Sequence, residues 1–219
     1  MKSKTAQLIL QSAYCALGIV AILSSVGFFD YHYDQNWYVY FTHLSNYFCV
    51  GVMFAELIQT AKKSEDSYVS ACPCAKFIGV CAIMLTCIAF NTMLADGREA
   101  AANFTVSSVL MHVVLPILFF IDWVLFYEHG AVKAIWPLFS TIPLLGYVAM
   151  IYIRAAIVNY DTNCYALYPY FFLDLNEKGV HGVITWCIIL AIAYLIFVYA
   201  LYGLDKWLQK RKQKQICHS

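Results

Sequence analysis

The chain predicts an all-α, polytopic membrane protein: one domain over residues 1–219, built as six transmembrane helices with both termini cytoplasmic. Three observations carry this. Of the 219 residues, 62% are hydrophobic and only 12% are charged, whereas charged residues make up about a quarter of a soluble domain. Six uncharged apolar runs reach the ~18–20 residues that cross a bilayer, at approximately 8–29, 37–57, 77–95, 106–127, 134–153 and 181–204. With the N-terminus inside, eleven Lys/Arg fall on inner segments (Lys2, Lys4, Lys62, Lys63, Lys76, Lys133, Lys206, Lys210, Arg211, Lys212, Lys214) and three on outer ones (Arg98, Arg154, Lys178). That asymmetry sets orientation.

Taken in order, the first run follows the basic start Met1–Lys4. It has spanning length and no clear small-residue cleavage site, so it reads as a span rather than a signal peptide. The second opens with Trp37, Tyr38 and Tyr40, aromatic residues suited to an interface. The third follows ACPCAK, whose Cys72 and Cys74 lack the spacing and the partner pair of a zinc site. The fourth and fifth are joined by the short segment 128–133, which makes them antiparallel neighbours. The stretch 154–180 is the longest loop. It holds Tyr168-Pro169-Tyr170-Phe171-Phe172-Leu173-Asp174, a proline beside aromatics that suggests a segment lying at the interface or folding back over the bundle. The sixth ends at Trp207 and a basic tail, an ordinary cytoplasmic flank. A net charge of +1 gives no reason to expect nucleic acid.

The polar residues inside the spans are the informative ones. Thr42, in FTHLSN, lies roughly 8 Å past the outer start of span two, and His112, in MHVVLP, roughly 9 Å past that of span four, at 1.5 Å per residue. Asn46 shares the face of Thr42 at i+4. Asn91 ends span three and His181 opens span six. Polar groups at one depth on several helices suggest a shared cavity. Pro116 lies four residues after His112, so the His112 carbonyl loses its helical donor and the helix is expected to kink. Each residue also has an ordinary structural reading. A membrane threonine bonds its own i−4 carbonyl, a histidine or asparagine joins two helices, and Glu56 snorkels to the inner interface. Asp122, deeper in span four, either pairs with a neighbour or carries protons.

Together FTHLSN, MHVVLP with the following Asp122-Trp123, and YPYFFLD resemble, in order, the motifs of bacterial six-span integral membrane proteins. These are related to the androgen-induced protein and the androgen-dependent regulator of tissue-factor-pathway inhibitor. The resemblance covers nearly the whole chain. It implies a threonine hydrolase that cleaves fatty-acid esters of hydroxy fatty acids, with Thr42 as nucleophile and His112 as its base, in a bacterial plasma membrane. No cofactor or metal is implied; the expected partners are membrane lipids and the lipidic ester itself. Asn46 and Asn91 are candidate oxyanion donors, Asp174 a candidate for orienting His112, and His181 a further supporting candidate. Tyr168, Pro169 and Tyr170 are expected to form a lid. Two other readings stand beside this one. The same cavity suits a non-catalytic lipid-binding or transport protein. A haem- or quinone-handling protein would need His112 paired with His43 or His181.

Overall fold

The computed structural model describes residues 3–31, 33, 36–63, 69–94, 105–158 and 167–217. The expected outer loop 96–105, apart from Thr105, and residues 159–166 of the long loop lie outside them. The described residues form helices without strands, and six helices are long and apolar enough to cross a membrane: α1 (Lys4–Ser25), α2 (Phe41–Lys62), α3 (Pro73–Thr92), α4 (Val106–Phe126), α5 (Trp136–Ile157) and α6 (Leu175–Lys214). Helices of 20–22 residues are ~30 Å long, the thickness of a hydrocarbon core.

Local chemistry sets where the helices begin, and α1, α3 and α6 begin ahead of their apolar runs. Ser3 accepts from the Ala6 N–H and starts α1 four residues ahead of its run. Pro73 occupies the first turn of α3. Thr105 accepts from Ser108 N at 3.1 Å and starts α4. Asp174 accepts from the N–H groups of Asn176 and Glu177 and starts α6. Gly179, at φ 63°, interrupts α6 after its first turn, a conformation that glycine adopts without steric cost.

The helices alternate in direction, so their ends share two faces. On the terminal face Lys4 reaches the Ala61 and Lys63 carbonyls at the end of α2, and Asp205 of α6 meets the loop after α4. The opposite face, here the site face, holds the end of α1, Phe90, His112, Arg154 and Leu173. The core sits among α1–α4 around Tyr14, Met53, Phe77, Phe119 and Trp123, all fully buried. Gly18 lets α1 and α2 close; a Cβ there would strike the Val50 side chain. Such close approach matters because packing, rather than hydrophobicity, drives helices together in lipid. Helix α5 packs Tyr147 and Ile151 against Val39 and Phe41. Helix α6 buries the stripe Tyr194, Val198, Leu201 and Asp205 and leaves its Ile184, Ile188, Ile192 and Ile196 exposed.

Two sequence expectations are corrected here. Lys76 is not a flanking cation: α3 starts at Pro73, which places Lys76 in its first turn, fully buried against Asp122. Glu56 does not snorkel: it is fully buried, and Ser70 Oγ donates to its carboxylate.

Candidate functional site

Thr42 is the second residue of α2 and is buried. Its carbonyl accepts from Ser45 Oγ at 3.0 Å and from Asn46 Nδ2 at 2.8 Å. Ser45 Oγ also meets Thr86 Oγ1 of α3 at 3.0 Å. The Thr42 hydroxyl faces the phenol of Tyr170. That phenol also faces the backbone N–H groups of Phe41 and Thr42, which start α2 without a side-chain cap of their own. Burial pushes the Tyr170 phenol above its ordinary range, against the opposing effect of these donors.

His112 lies on a distorted turn. Residues Leu110–Val114 form a π-helix in which Leu115 N donates to Leu110 O, five residues back. In that register the N–H missing from Pro116 belongs to Met111 O, while the ordinary register assigns it to His112 O. Both carbonyls find side-chain amides instead. Asn46 Nδ2 donates to Met111 O at 3.1 Å, and Asn91 Nδ2 reaches His112 O at a long 3.5 Å. The freed carbonyl expected from Pro116 is thus partnered by a neighbouring helix. Asn46 also bonds the Thr42 carbonyl, so one fully buried side chain ties the Thr42 turn of α2 to the His112 turn of α4. A second π-helix, Phe90–Leu94, extends α3 opposite the first. Its Phe90 ring stacks on the His112 imidazole with centroids 3.6 Å apart.

The imidazole Nδ1 lies 2.9 Å from the Ser108 carbonyl and 3.2 Å from the Ser108 hydroxyl. A carbonyl oxygen only accepts, so Nδ1 carries the proton and Nε2 keeps its lone pair. Among the described residues no hydrogen bond joins Thr42 directly to His112.

The remaining candidates fall into distinct roles. Asp174 caps α6 and makes no bond to His112 among the described residues; Ser108 holds the ring instead. His181 is exposed on α6. Asn91 is also held by the Cys87 carbonyl at 2.7 Å. The Tyr168–Asp174 segment folds onto the bundle. Tyr168 packs on Tyr152, Tyr170 packs on Tyr40 and Tyr147, and Leu173 is buried. Tyr152 donates to the Leu173 carbonyl, and Arg154 donates to the Leu167 carbonyl. Beside the Thr42 turn, a cavity of about 300 Å³ lies between α2, α3 and α5, lined by Phe41, Leu44, Ser45, Ala82, Tyr147 and Met150 among others. Its size is at the lower end for ligand pockets and its wall is almost wholly apolar.

Comparison of the chain with protein-family models, curated proteins and solved structures returns no match.

Proposed function

We propose that the protein is an intramembrane hydrolase of lipidic esters, of the kind in which a fatty acid esterifies a hydroxy fatty acid. In this reading it sits in a bacterial plasma membrane with both termini in the cytoplasm. Thr42 is the nucleophile and His112 the general base. The observation that carries the reading is the anchoring of His112. The Ser108 carbonyl holds Nδ1–H and leaves Nε2 as the base, on a turn that Asn46 ties to Thr42. A base with a fixed tautomer and a buried hydroxyl on a turn tied to it are two parts that nucleophilic catalysis needs; the direct contact between them would form as substrate binds, since catalytic contacts are often loose beforehand.

Thr42 Oγ attacks the ester carbonyl while His112 Nε2 takes its proton. The tetrahedral intermediate collapses, His112 returns the proton to the leaving alcohol, and an acyl-threonine remains. Water then attacks that ester, again through His112, and releases the fatty acid. The Phe41 and Thr42 N–H groups at the start of α2, now faced by the Tyr170 phenol, would serve as donors to the developing oxyanion. Tyr170 must therefore move as substrate enters. The apolar cavity beside Ser45 suits the acyl chain, which arrives laterally from lipid.

The test compares the native chain with Thr42→Ala and His112→Ala in detergent. It uses fluorophosphonate labelling and hydrolysis of a long-chain lipid ester at matched monodispersity and melting temperature. Loss of labelling and turnover in folded variants is expected. Folded variants that match the native protein overturn catalysis and leave a non-catalytic lipid-binding or transport role for the cavity.

A further inference from the structure

A buried pair of opposite charges lies elsewhere, in the terminal third of the bundle. Lys76 sits one turn into α3, and Asp122 four residues before the end of α4; both are 1% exposed and form an ion pair. Taking two charges out of water costs several kcal/mol per ion, which a buried pair recovers only when its remaining hydrogen-bonding capacity is met. Here it is only partly met. Gln11 Nε2 donates to Asp122 Oδ1 at 3.2 Å. Beyond Asp122, Lys76 Nζ has two soft neighbours, Met53 Sδ at 3.7 Å and the Phe119 ring at 4.7 Å. Among the described residues, Gln11 Oε1 and Tyr14 Oη beside the pair are buried without a hydrogen-bond partner, as is Gln7 Nε2 one turn before Gln11 on α1. Gln7, Gln11 and Tyr14 follow the i, i+4, i+7 spacing of one helix face, leading from the terminal end of α1 inward. The titratable side chains facing the pair are Tyr14 and Cys15 from α1 and Cys49 from α2.

We propose that Gln7, Gln11, Tyr14, Lys76 and Asp122 form a second site, a water-holding, proton-binding pocket entered from the terminal face along α1. The orphaned polar atoms are the partners that internal water requires. Gln11 serves both protonation states. While Asp122 is ionised, the Gln11 amide donates Nε2–H to Oδ1 and its Oε1 stays free. When a hydronium delivers a proton, an O–H bond forms on Asp122, a water molecule is released, and the amide turns so that Oε1 accepts the new O–H. Lys76 keeps its own proton throughout, held by water, Met53 and the Phe119 ring. The reverse step returns the proton to water. An ionisable group at this depth marks a proton or ion path more readily than a scaffold.

The experiment is infrared difference spectroscopy, acid minus neutral, on the full chain in lipid vesicles with isotopically labelled aspartate. The expected result is a protonated-carboxyl band that Asp122→Asn deletes and Asp122→Glu moves out of the labelled aspartate set. Asp122→Glu keeps a carboxylate for Lys76, so the assignment survives if Asp122→Asn does not fold. Gln7→Leu with Gln11→Leu is expected to slow the deuterium shift of that band when the medium is changed to heavy water. If the native spectrum holds no such band across the pH range in which the bundle stays folded, or if the band is untouched by Asp122→Glu, the pair is a structural ion pair and the proposal is overturned.

Discussion

Removing one member of the Lys76–Asp122 pair is expected to cost far more than removing both. Each charge lies at 1% exposure, and among the described residues the other is its only ionic partner. Lys76→Met keeps the length of the side chain and its packing against Phe119. It leaves the Asp122 carboxylate with the single Gln11 N–H, so the carboxyl must take up a proton or remain an unpaired buried anion. Asp122→Val leaves the ammonium with sulfur and ring neighbours alone. Breaking a buried pair in this way costs about 3–5 kcal/mol, whereas replacing both members by apolar groups is neutral or stabilising by about 1–4 kcal/mol. The double variant is therefore predicted to lie within ~1 kcal/mol of the native protein or above it, and the cycle should be strongly non-additive. The assay is equilibrium unfolding in mixed micelles, with monodispersity followed in parallel. Single variants that each cost less than ~1 kcal/mol, or a double variant whose loss equals the sum of the two, would refute the claim that these charges depend on each other.

Other expectations follow from the same geometry. Burial, reinforced by the Asp205 and Glu56 carboxylates, raises the Tyr127 phenol above its ordinary value of 10.0. A group raised in the folded state contributes stability in full below the unfolded pKa and loses it as pH climbs toward the folded one, so melting temperature should fall above pH ~10, less steeply in Tyr127→Phe. Gly18→Leu should destabilise the α1–α2 contact by about 1–3 kcal/mol through overpacking against Val50, and Val50→Ala should recover part of that loss; failure of the rescue would place the clash elsewhere. At Gly179, φ 63° with open space around the Cβ position makes Gly179→Ala a purely backbone perturbation. A drop of about 1–3 kcal/mol is expected, because φ 63° with ψ 172° is a backbone region that essentially only glycine occupies, and an unchanged melting curve would show that the first turn of α6 is not held in this form.

The six spans were legible because hydropathy over 20 residues is a local property, written in Ile, Leu, Val and Phe. Their ends were less so, because Ser3, Pro73, Thr105 and Asp174 fix them through single capping contacts that a hydropathy average dilutes. The ion pair was hidden for a different reason. Lys76 and Asp122 are far apart in sequence, and a lysine just ahead of an apolar run reads as a flank. Two signals pointed the other way: Pro73 is a natural first-turn residue, which draws Lys76 into the helix, and an aspartate deep in a span needs a partner. At the candidate site, counting residues puts Thr42 and His112 at equal depth; in the structure Asn46, one turn further into α2, is the residue that reaches the His112 turn. The agent that orients His112 escaped such counting, because it is a backbone carbonyl and leaves no mark in residue identity. Asp174 was a candidate for that place by composition, and its side chain is spent on starting α6.

The two ends of the bundle solve opposite problems with different kinds of side chain. At the terminal end, α3 and α4 are joined by charge. An ion pair resists sliding because separating its members strands both in a low dielectric. At the site end, Pro116 removes a backbone donor from α4, the helix there is wound to five residues per bond, and two carbonyls are released. Asparagine amides from α2 and α3 take those carbonyls through neutral hydrogen bonds. In membranes such bonds average only about 0.6 kcal/mol, so the His112 turn is held far more lightly than the Lys76 turn. In the proposed hydrolysis His112 would pass a proton between a nucleophile, a leaving group and water, which asks the ring to shift slightly while its tautomer stays fixed. The Ser108 carbonyl supplies the fixed tautomer, and the weakly tied π-turn supplies the freedom. While Asp122 is ionised, the tie between Lys76 and Asp122 lets α4 be loosened at His112 without losing the bundle.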